Sequence, residues 1–129
     1  MSNSVVYVIQ QPAQSREFGS AQKYGRVEFV LSSAEKVSIL PARALGILRR
    51  RLKPFTKEDY IVWAGGDPFA PILAGIVLGE YGFSEINYLR WEREKMDGGL
   101  RSSNGYYLPG KLMLRSIVSQ NTLHSEDIE

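Results

Sequence analysis

The stretch from Tyr60 to Gly82, YIVWAGGDPFAPILAGIVLGEYG, constrains the fold of this chain more than any other. It opens with YIVWA, a nearly continuous apolar run rich in the β-branched and aromatic residues that pack well in strands. An apolar run without polar alternation is typical of a strand that is covered on both faces of its sheet. We therefore predict a strand over Tyr60–Ala64 that lies in the interior of a layered sheet.

The residues that follow predict a tight turn and then a helix over residues 68–80. The Gly65–Gly66 pair ends the strand, because glycine adopts backbone angles that other residues avoid. Asp67 stands at an N-cap position, and Pro68 stands at the first helical position, where proline loses no hydrogen bond. Gly82 fits the left-handed position just past a helix end.

Two glycines lie inside this predicted helix. Gly75 and Gly79 are four residues apart and therefore share one helix face. Glycine lowers helix propensity, so we expect a neighbouring backbone to pack closely against that face.

The remaining apolar runs predict further strands and a second helix. Leucines at helical spacing predict a helix over Ala42–Leu52. Residues 13–23 and 92–103 are polar or glycine-rich and predict loops. Pro109 favours an edge position or a bulge for the last strand, which should form a long-looped hairpin with the strand before it. The other predicted strands are Val5–Ile9, Arg26–Leu31, Val37–Leu40, Ile86–Trp91 and Tyr106–Leu114.

The order of these elements predicts an α/β (or α+β) fold. We expect a single compact domain over residues 1–118, with a mixed sheet of about five or six strands and two main helices. The central strand–helix–strand unit should form a parallel crossover. Residues 119–129 are polar and acidic and predict a flexible tail.

Composition excludes several kinds of chemistry. The 129 residues include no cysteine, which removes disulfides, thiolate nucleophiles and cysteine-bound zinc and fits a reducing cytoplasm. No run approaches the roughly 20 apolar residues that span a bilayer, and no signal-peptide pattern is present. The only histidine, His124, lies in the predicted tail. We predict no catalytic residues, metal site, cofactor or membrane partner, and we lean towards a non-enzyme.

The turn Gly65, Gly66 and Asp67 is the first candidate site. Strand-to-helix turns commonly bind anions or nucleotides through backbone N–H groups and the helix dipole. However, no phosphate-loop motif is present, and an aspartate cap would repel a phosphate. Helix capping is therefore the favoured interpretation, and ligand binding stays open as the alternative.

The basic residues Arg43, Arg49, Arg50 and Lys53 on the second predicted helix form the other candidate site. Such a helix face can neutralise phosphates or dock an acidic partner. The simpler interpretation is a solvated face on a helix whose other side is core.

Aromatic side chains present a similar choice between stacking and packing. They can offer stacking platforms for bases, but aromatic residues on strands more often pack in the core, which we favour. The residues concerned are Trp63, Tyr88, Trp91, Tyr106 and Tyr107.

Several segments together resemble a group of small uncharacterised proteins of tailed bacteriophages. The most specific is a hydrophobic strand running into Gly-Asp-Pro and an alanine-rich helix, although Gly65 is an extra glycine here. The resembling segments are VVYVIQQP (5–12), YGRVEFVL (24–31), residues 37–41, the arginine-rich helix with FTKEDYIVWAGGDPFAPILAG (55–75), YLRW (88–91) and YYLPGKLML (106–114). The resemblance implies a phage accessory protein of the infected bacterial cytoplasm and carries over no functional residues.

Three functions follow as hypotheses. The favoured one is a non-enzymatic binding protein that acts on a host or phage macromolecule. The alternatives are a nucleic-acid or nucleotide binder, using the basic helix and the Gly65–Asp67 turn, and an enzyme using Asp67. An uncovered edge strand also permits homo-oligomers.

Overall fold

Seven regular elements and one short 3-10 helix alternate along the chain, and together they confirm the predicted α/β class with a mixed sheet. The computed structural model describes residues 3–13, 18–95 and 101–114. Its strands are β1 (Val5–Gln10), β2 (Arg26–Leu31), β3 (Tyr60–Val62), β4 (Glu85–Lys95) and β5 (Arg101–Met113). Its helices are the 3-10 helix (Gly19–Tyr24), α1 (Pro41–Arg51) and α2 (Phe69–Glu80).

The sheet has the order β2-β1-β3-β4-β5. The first four strands pair in parallel, and β5 pairs antiparallel to β4. The central position of β3 confirms the prediction that this segment is interior, and the parallel pairing of β3 with β4 confirms the crossover through α2. β5 lies at an edge, as Pro109 predicts, because an edge strand has no second neighbour that needs the missing N–H.

Alternation along β1 divides the core into two layers. Tyr7 and Ile9 pack towards α1 and α2, whereas Val6 and Val8 pack towards the segment around the 3-10 helix. All six residues of β1 are buried. A strand that is covered on both faces in this way has a continuous apolar sequence, as Val5–Ile9 does.

α2 begins and ends as the predicted turn and caps require. The backbone N–H of Phe69 donates to the Asp67 carboxylate, and the helix starts at Phe69, one residue after the predicted position. At the other end Gly82 has φ +92°, and the N–H of Phe83 donates to the carbonyl of Leu78 at 3.1 Å. This is the hydrogen-bond pattern of a glycine-terminated helix.

Two predictions about local structure before α1 are wrong. Val37–Leu40 forms a turn instead of a strand, since the N–H groups of Ile39 and Leu40 both donate to the carbonyl of Lys36. Local bonding of this kind leaves no edge for sheet pairing. Within the predicted loop 13–23, Gly19 to Lys23 belong to the 3-10 helix, because the buried Ala21 anchors it to the sheet.

The boundaries around the final hairpin also differ from prediction. β3 ends at Val62, two residues early, where its pairing with β4 stops. The predicted loop 92–103 is wrong at both ends, because β4 continues to Lys95 and β5 begins at Arg101. The two strands pair with each other in antiparallel orientation, and this pairing extends them beyond the rest of the sheet. Local residue propensity does not predict such pairing.

The expectation for the two helix glycines is also wrong. No atom of another element lies within 4 Å of a Cβ added at Gly75 or Gly79, as far as the described residues go. The sheet-facing side of α2 is formed instead by Ala70, Ala74 and Val77, which are buried. The predicted tail, with His124 and the domain boundary at 118, lies outside the described residues.

Candidate functional site

The Gly65–Asp67 turn lies at the carboxyl ends of β1 and β3, where doubly wound sheets of this strand order commonly bind ligands. Here a protein side chain, Gln10, occupies the position between the strands and is buried. Its Nε2 donates to the carbonyls of Ser32 at 3.1 Å and Glu35 at 2.9 Å. Its Oε1 accepts from the backbone N–H of Asp67 at 2.8 Å.

Gly66 is required by this arrangement. It has φ +91°, and a Cβ added there would lie 2.5 Å from the Oε1 of Gln10. Gly65 has φ +120°, but a Cβ added there would meet no atom within 4 Å among the described residues. The turn is therefore closed on the side of Gln10 and open at Gly65.

Asp67 uses both of its carboxylate oxygens on backbone groups. Oδ1 accepts from the N–H of Phe69 at 3.0 Å, and Oδ2 accepts from the N–H of Ser38 at 2.9 Å. These hydrogen bonds, first that of Phe69 and then that of Ser38, hold the pKa of Asp67 below its ordinary value. The bonds are those expected of a helix cap, which also ties the 37–40 turn to α2. Ligand binding at this turn stays a prediction.

Two of the predicted basic residues are paired with carboxylates. Arg43 makes two hydrogen bonds to Glu35, each of 3.2 Å. Arg49 makes two to Glu80, each of 3.0 Å, which raise the pKa of the Arg49 guanidinium and lower the pKa of the Glu80 carboxyl. These two arginines are therefore less available to a phosphate than their sequence positions suggest.

Arg50, Arg51 and Lys53 are exposed and have no ion pair within the described part of the chain. Arg50 and Arg51 line an open cleft of about 370 Å³, together with Tyr7, Glu28, Phe29, Val30 and Pro54. Because α1 runs back from the carboxyl end of β2 to the amino end of β3, its last turn lies at the opposite end of the sheet from Gly65–Asp67. The structure does not bring the two predicted sites together.

An apolar surface on α2 was missed by the sequence analysis. Phe69, Ile72 and Ile76 point away from the sheet and are 53%, 57% and 49% exposed. Ile39 and Leu40 are also exposed, and the bond from Ser38 to Asp67 holds their turn beside the start of α2. We call these five residues the α2 surface. The available signal was that α2 is apolar all round, although a helix on one face of a sheet buries only one side.

A second feature, which we call the aromatic cleft, lies on the other side of the Gly65 turn. It has a volume of about 230 Å³ and is lined by Trp63, Ala64, Gly65, Trp91 and Tyr107. Tyr107 is buried, as the core interpretation predicts, but Trp63 is 51% exposed and Trp91 is 37% exposed. Tyr106 is likewise exposed and Tyr88 half-buried.

Trp91 is held firmly at one wall of the aromatic cleft. Its ring lies edge-on to the ring of Tyr107, with centroids 4.9 Å apart. It also lies across Gly105 on β5, where an added Cβ would come within 2.6 Å of the Trp91 indole. Gly105 thus makes the space in which the indole lies, and Tyr107 limits its rotation.

The described residues contain no group of three histidine, cysteine, aspartate or glutamate side chains placed to hold a metal ion. Within the same residues, no helix is long and apolar enough to cross a bilayer.

Comparison with known proteins gives one family. Residues 4–97 match the model of a family described as Phage Pam3 gp32-like protein. This match covers most of the chain and confirms the resemblance to phage proteins. No curated protein matches the chain, and no solved structure matches it.

Proposed function

The chain belongs to the Phage Pam3 gp32-like protein family, and from this premise we propose that this phage protein is a non-enzymatic binding protein whose α2 surface docks a protein of the host or the phage. The exposure of Phe69, Ile72 and Ile76 on one helix is the observation that carries this proposal. Monomeric proteins rarely leave a contiguous apolar patch uncovered unless it is a binding surface. The proposed setting is the cytoplasm of the infected bacterium.

The shape of the α2 surface supports docking by a partner with an apolar ridge. Ile72 and Ile76 project from α2, while Gly75 and Gly79 lie between and beyond them and leave space where side chains would otherwise stand. The nearest charged group on the helix, Glu80, is occupied by Arg49. On the helix itself, a partner therefore does not have to desolvate a free charge.

The hydrogen bonds that two aspartates accept from the backbone support a binding protein over an enzyme. The buried Asp59 accepts from the N–H of Val5 at 2.8 Å and from the N–H of Thr56 at 2.7 Å. Asp67 likewise accepts from two backbone N–H groups. Carboxylates that are held in this way stabilise the fold and are poorly placed to exchange protons with a substrate.

Site-specific photo-crosslinking in phage-infected bacteria tests this proposal. A photoreactive residue at position 72 should give a discrete covalent adduct, whose partner mass spectrometry then identifies. The same residue at position 57 is the matched control, because Lys57 is also exposed but lies at the opposite end of the sheet.

Substitution of the surface provides the second arm. With the photoreactive residue at position 69, Ile76→Asp should remove the adduct while the far-UV circular dichroism spectrum stays unchanged. Equal adducts at positions 57 and 72 would contradict docking on α2. An adduct at twice the mass of the chain would show that a second copy occupies the surface, which would also contradict a host or phage partner.

A further inference from the structure

We propose that the aromatic cleft binds one base of a single-stranded nucleic acid, stacked between Trp63 and Trp91. This site is separate from the α2 surface and does not depend on the protein partner proposed above. It touches the predicted turn site only at Gly65, and it uses neither Asp67 nor the basic residues of α1.

The two tryptophans come from different elements and meet across an opening. Trp63 follows β3 and leads into the Gly65 turn, whereas Trp91 lies on β4. Trp91 is positioned by Tyr107 and by the space above Gly105. Trp63 has no ring neighbour among the described aromatic residues, so its exposed face is available to a ligand. Aromatic side chains that present free faces are the common stacking platform for unpaired bases.

The size and chemistry of the cleft favour a single planar ring. Its volume of about 230 Å³ is below the roughly 300 Å³ at which sites for drug-sized ligands begin. Among the described residues that line it, none has a charged or amide side chain. A sugar ring needs several polar groups for its hydroxyls, whereas a base can be held by its faces alone. The cleft therefore fits a base better than it fits a sugar or a whole nucleotide.

Positive charge lies beside the cleft, where the backbone of such a ligand would continue. β4 pairs with β3 only as far as Leu89, so residues 90–95 and 101–108 form a two-stranded arm beyond the sheet. The sequence from Arg90 to Leu108 contains four basic and three acidic residues, a net charge of 4 − 3 = +1. Phosphates are attracted to such a segment without any base-specific contact.

Arg93 is the residue of the arm that is best placed for a phosphate. It lies two positions after Trp91 on β4, and residues two apart on a strand share one face of the sheet. It is exposed and has no ion pair within the part of the chain that the structure describes. Arg90, by contrast, lies on the opposite face and is paired with Glu92. The stacking platform and a cation that has no ion pair among the described residues thus follow one another along one strand.

Intrinsic fluorescence gives a direct assay, because Trp63 and Trp91 are the only tryptophans in the chain. An oligothymidylate of about 15 nucleotides, within the range of sites that single-strand-binding domains cover, should quench the tryptophan emission at low salt. The same length of duplex should not quench it, since its bases are already stacked. Binding should weaken with salt in proportion to the phosphates that are neutralised.

Single substitutions distinguish the contribution of base stacking to the affinity from the contribution of charge. Trp63→Ala should raise the Kd, measured by anisotropy of a labelled oligonucleotide, about tenfold to a hundredfold, whereas Trp63→Phe keeps a ring and should lose far less. Arg93→Ala should lower the slope of log Kd against log salt by about 0.7, the value for one phosphate contact on a single strand. Lys57→Ala removes one exposed positive charge at the other end of the sheet. It is the matched control and should change neither quenching nor affinity.

Three results would overturn the proposal. The first is unchanged tryptophan emission with excess oligonucleotide at low salt. The second is undiminished affinity in Trp63→Ala that retains the wild-type circular dichroism spectrum, which would indicate contact with phosphates alone. The third is equal affinity for duplex and single strand. Loss of cross-linking at the α2 surface would bear only on the protein partner and leaves this test intact.

Discussion

Replacing the buried Gln10 should destabilise the protein more than its position at the end of a strand suggests. Gln10 joins three segments, since its amide contacts the carbonyls of Ser32 and Glu35 and the N–H of Asp67. In Gln10→Met the side chain keeps its length and apolar packing but makes none of these hydrogen bonds. The substitution therefore tests the bonds more than it tests the volume.

The expected loss follows from the groups left behind. An unsatisfied buried donor or acceptor costs about 1–3 kcal/mol, and the three partners of Gln10 are only partly buried, so the lower end applies to each. The sum is about 3 kcal/mol, a large share of the roughly 5–15 kcal/mol that stabilises a typical domain. A urea titration followed by circular dichroism should show a midpoint lower by about 1–2 M with an unchanged slope.

Gln11 offers a matched control for this prediction. It is the next residue and also a glutamine, but its side chain is exposed. Its backbone N–H donates to Leu31 and is untouched by a change of side chain. Gln11→Met should leave the midpoint within experimental error. If Gln10→Met lowered the free energy of unfolding by no more than Gln11→Met, the idea that Gln10 anchors the Gly66–Asp67 turn would be refuted.

Three further changes test other parts of the structure. Gly66→Ala should lower the free energy of unfolding, measured by urea titration, by about 2 kcal/mol or more, because alanine is strained at φ +91° and its Cβ would meet Gln10. Gly65→Ala should show the backbone strain without the contact to Gln10. Asp59→Ala should lower the free energy of unfolding by about 2–5 kcal/mol, because it leaves the N–H groups of Val5 and Thr56 without an acceptor. A decrease below about 0.5 kcal/mol would contradict this reasoning. Asp67 has a lowered pKa in the folded protein, so its contribution to stability should be present above its ordinary pKa of 3.8 and disappear as the pH falls through the folded-state value. The melting temperature of Asp67→Ala should accordingly differ from the wild type at neutral pH and converge with it in acid, and a difference that does not depend on pH would argue against the carboxylate as the cause.

The agreement between the predicted and the observed structure differs from one element to the next, and each difference has a physical reason. β1 and the interior position of β3 were predictable because strands that are covered on both faces must be apolar at every position. The start and end of α2 were predictable because Asp67 and Gly82 act through bonds to residues only a few positions away. The turn at 37–40 was not, since one of its hydrogen bonds runs to Asp67, far along the chain.

The candidate sites show the same division. Sequence spacing located the basic residues of α1, but it could not show that Glu35 and Glu80 occupy Arg43 and Arg49. It favoured core positions for the tryptophans, and only the structure shows that Trp63 and Trp91 stay partly exposed beside one cleft.

The sequence by itself determined the class of fold, the interior strand, the capped helix that follows it and the absence of cysteine chemistry, because each depends on residue type or on contacts between near neighbours. Only the tertiary structure decided that Gln10 fills the crevice between β1 and β3, that one side of α2 stays uncovered, and that Trp63 and Trp91 line the same cleft. These features join residues from distant parts of the chain. Their geometry is set by how the sheet is ordered and how far β4 and β5 extend, which no local pattern of residues encodes.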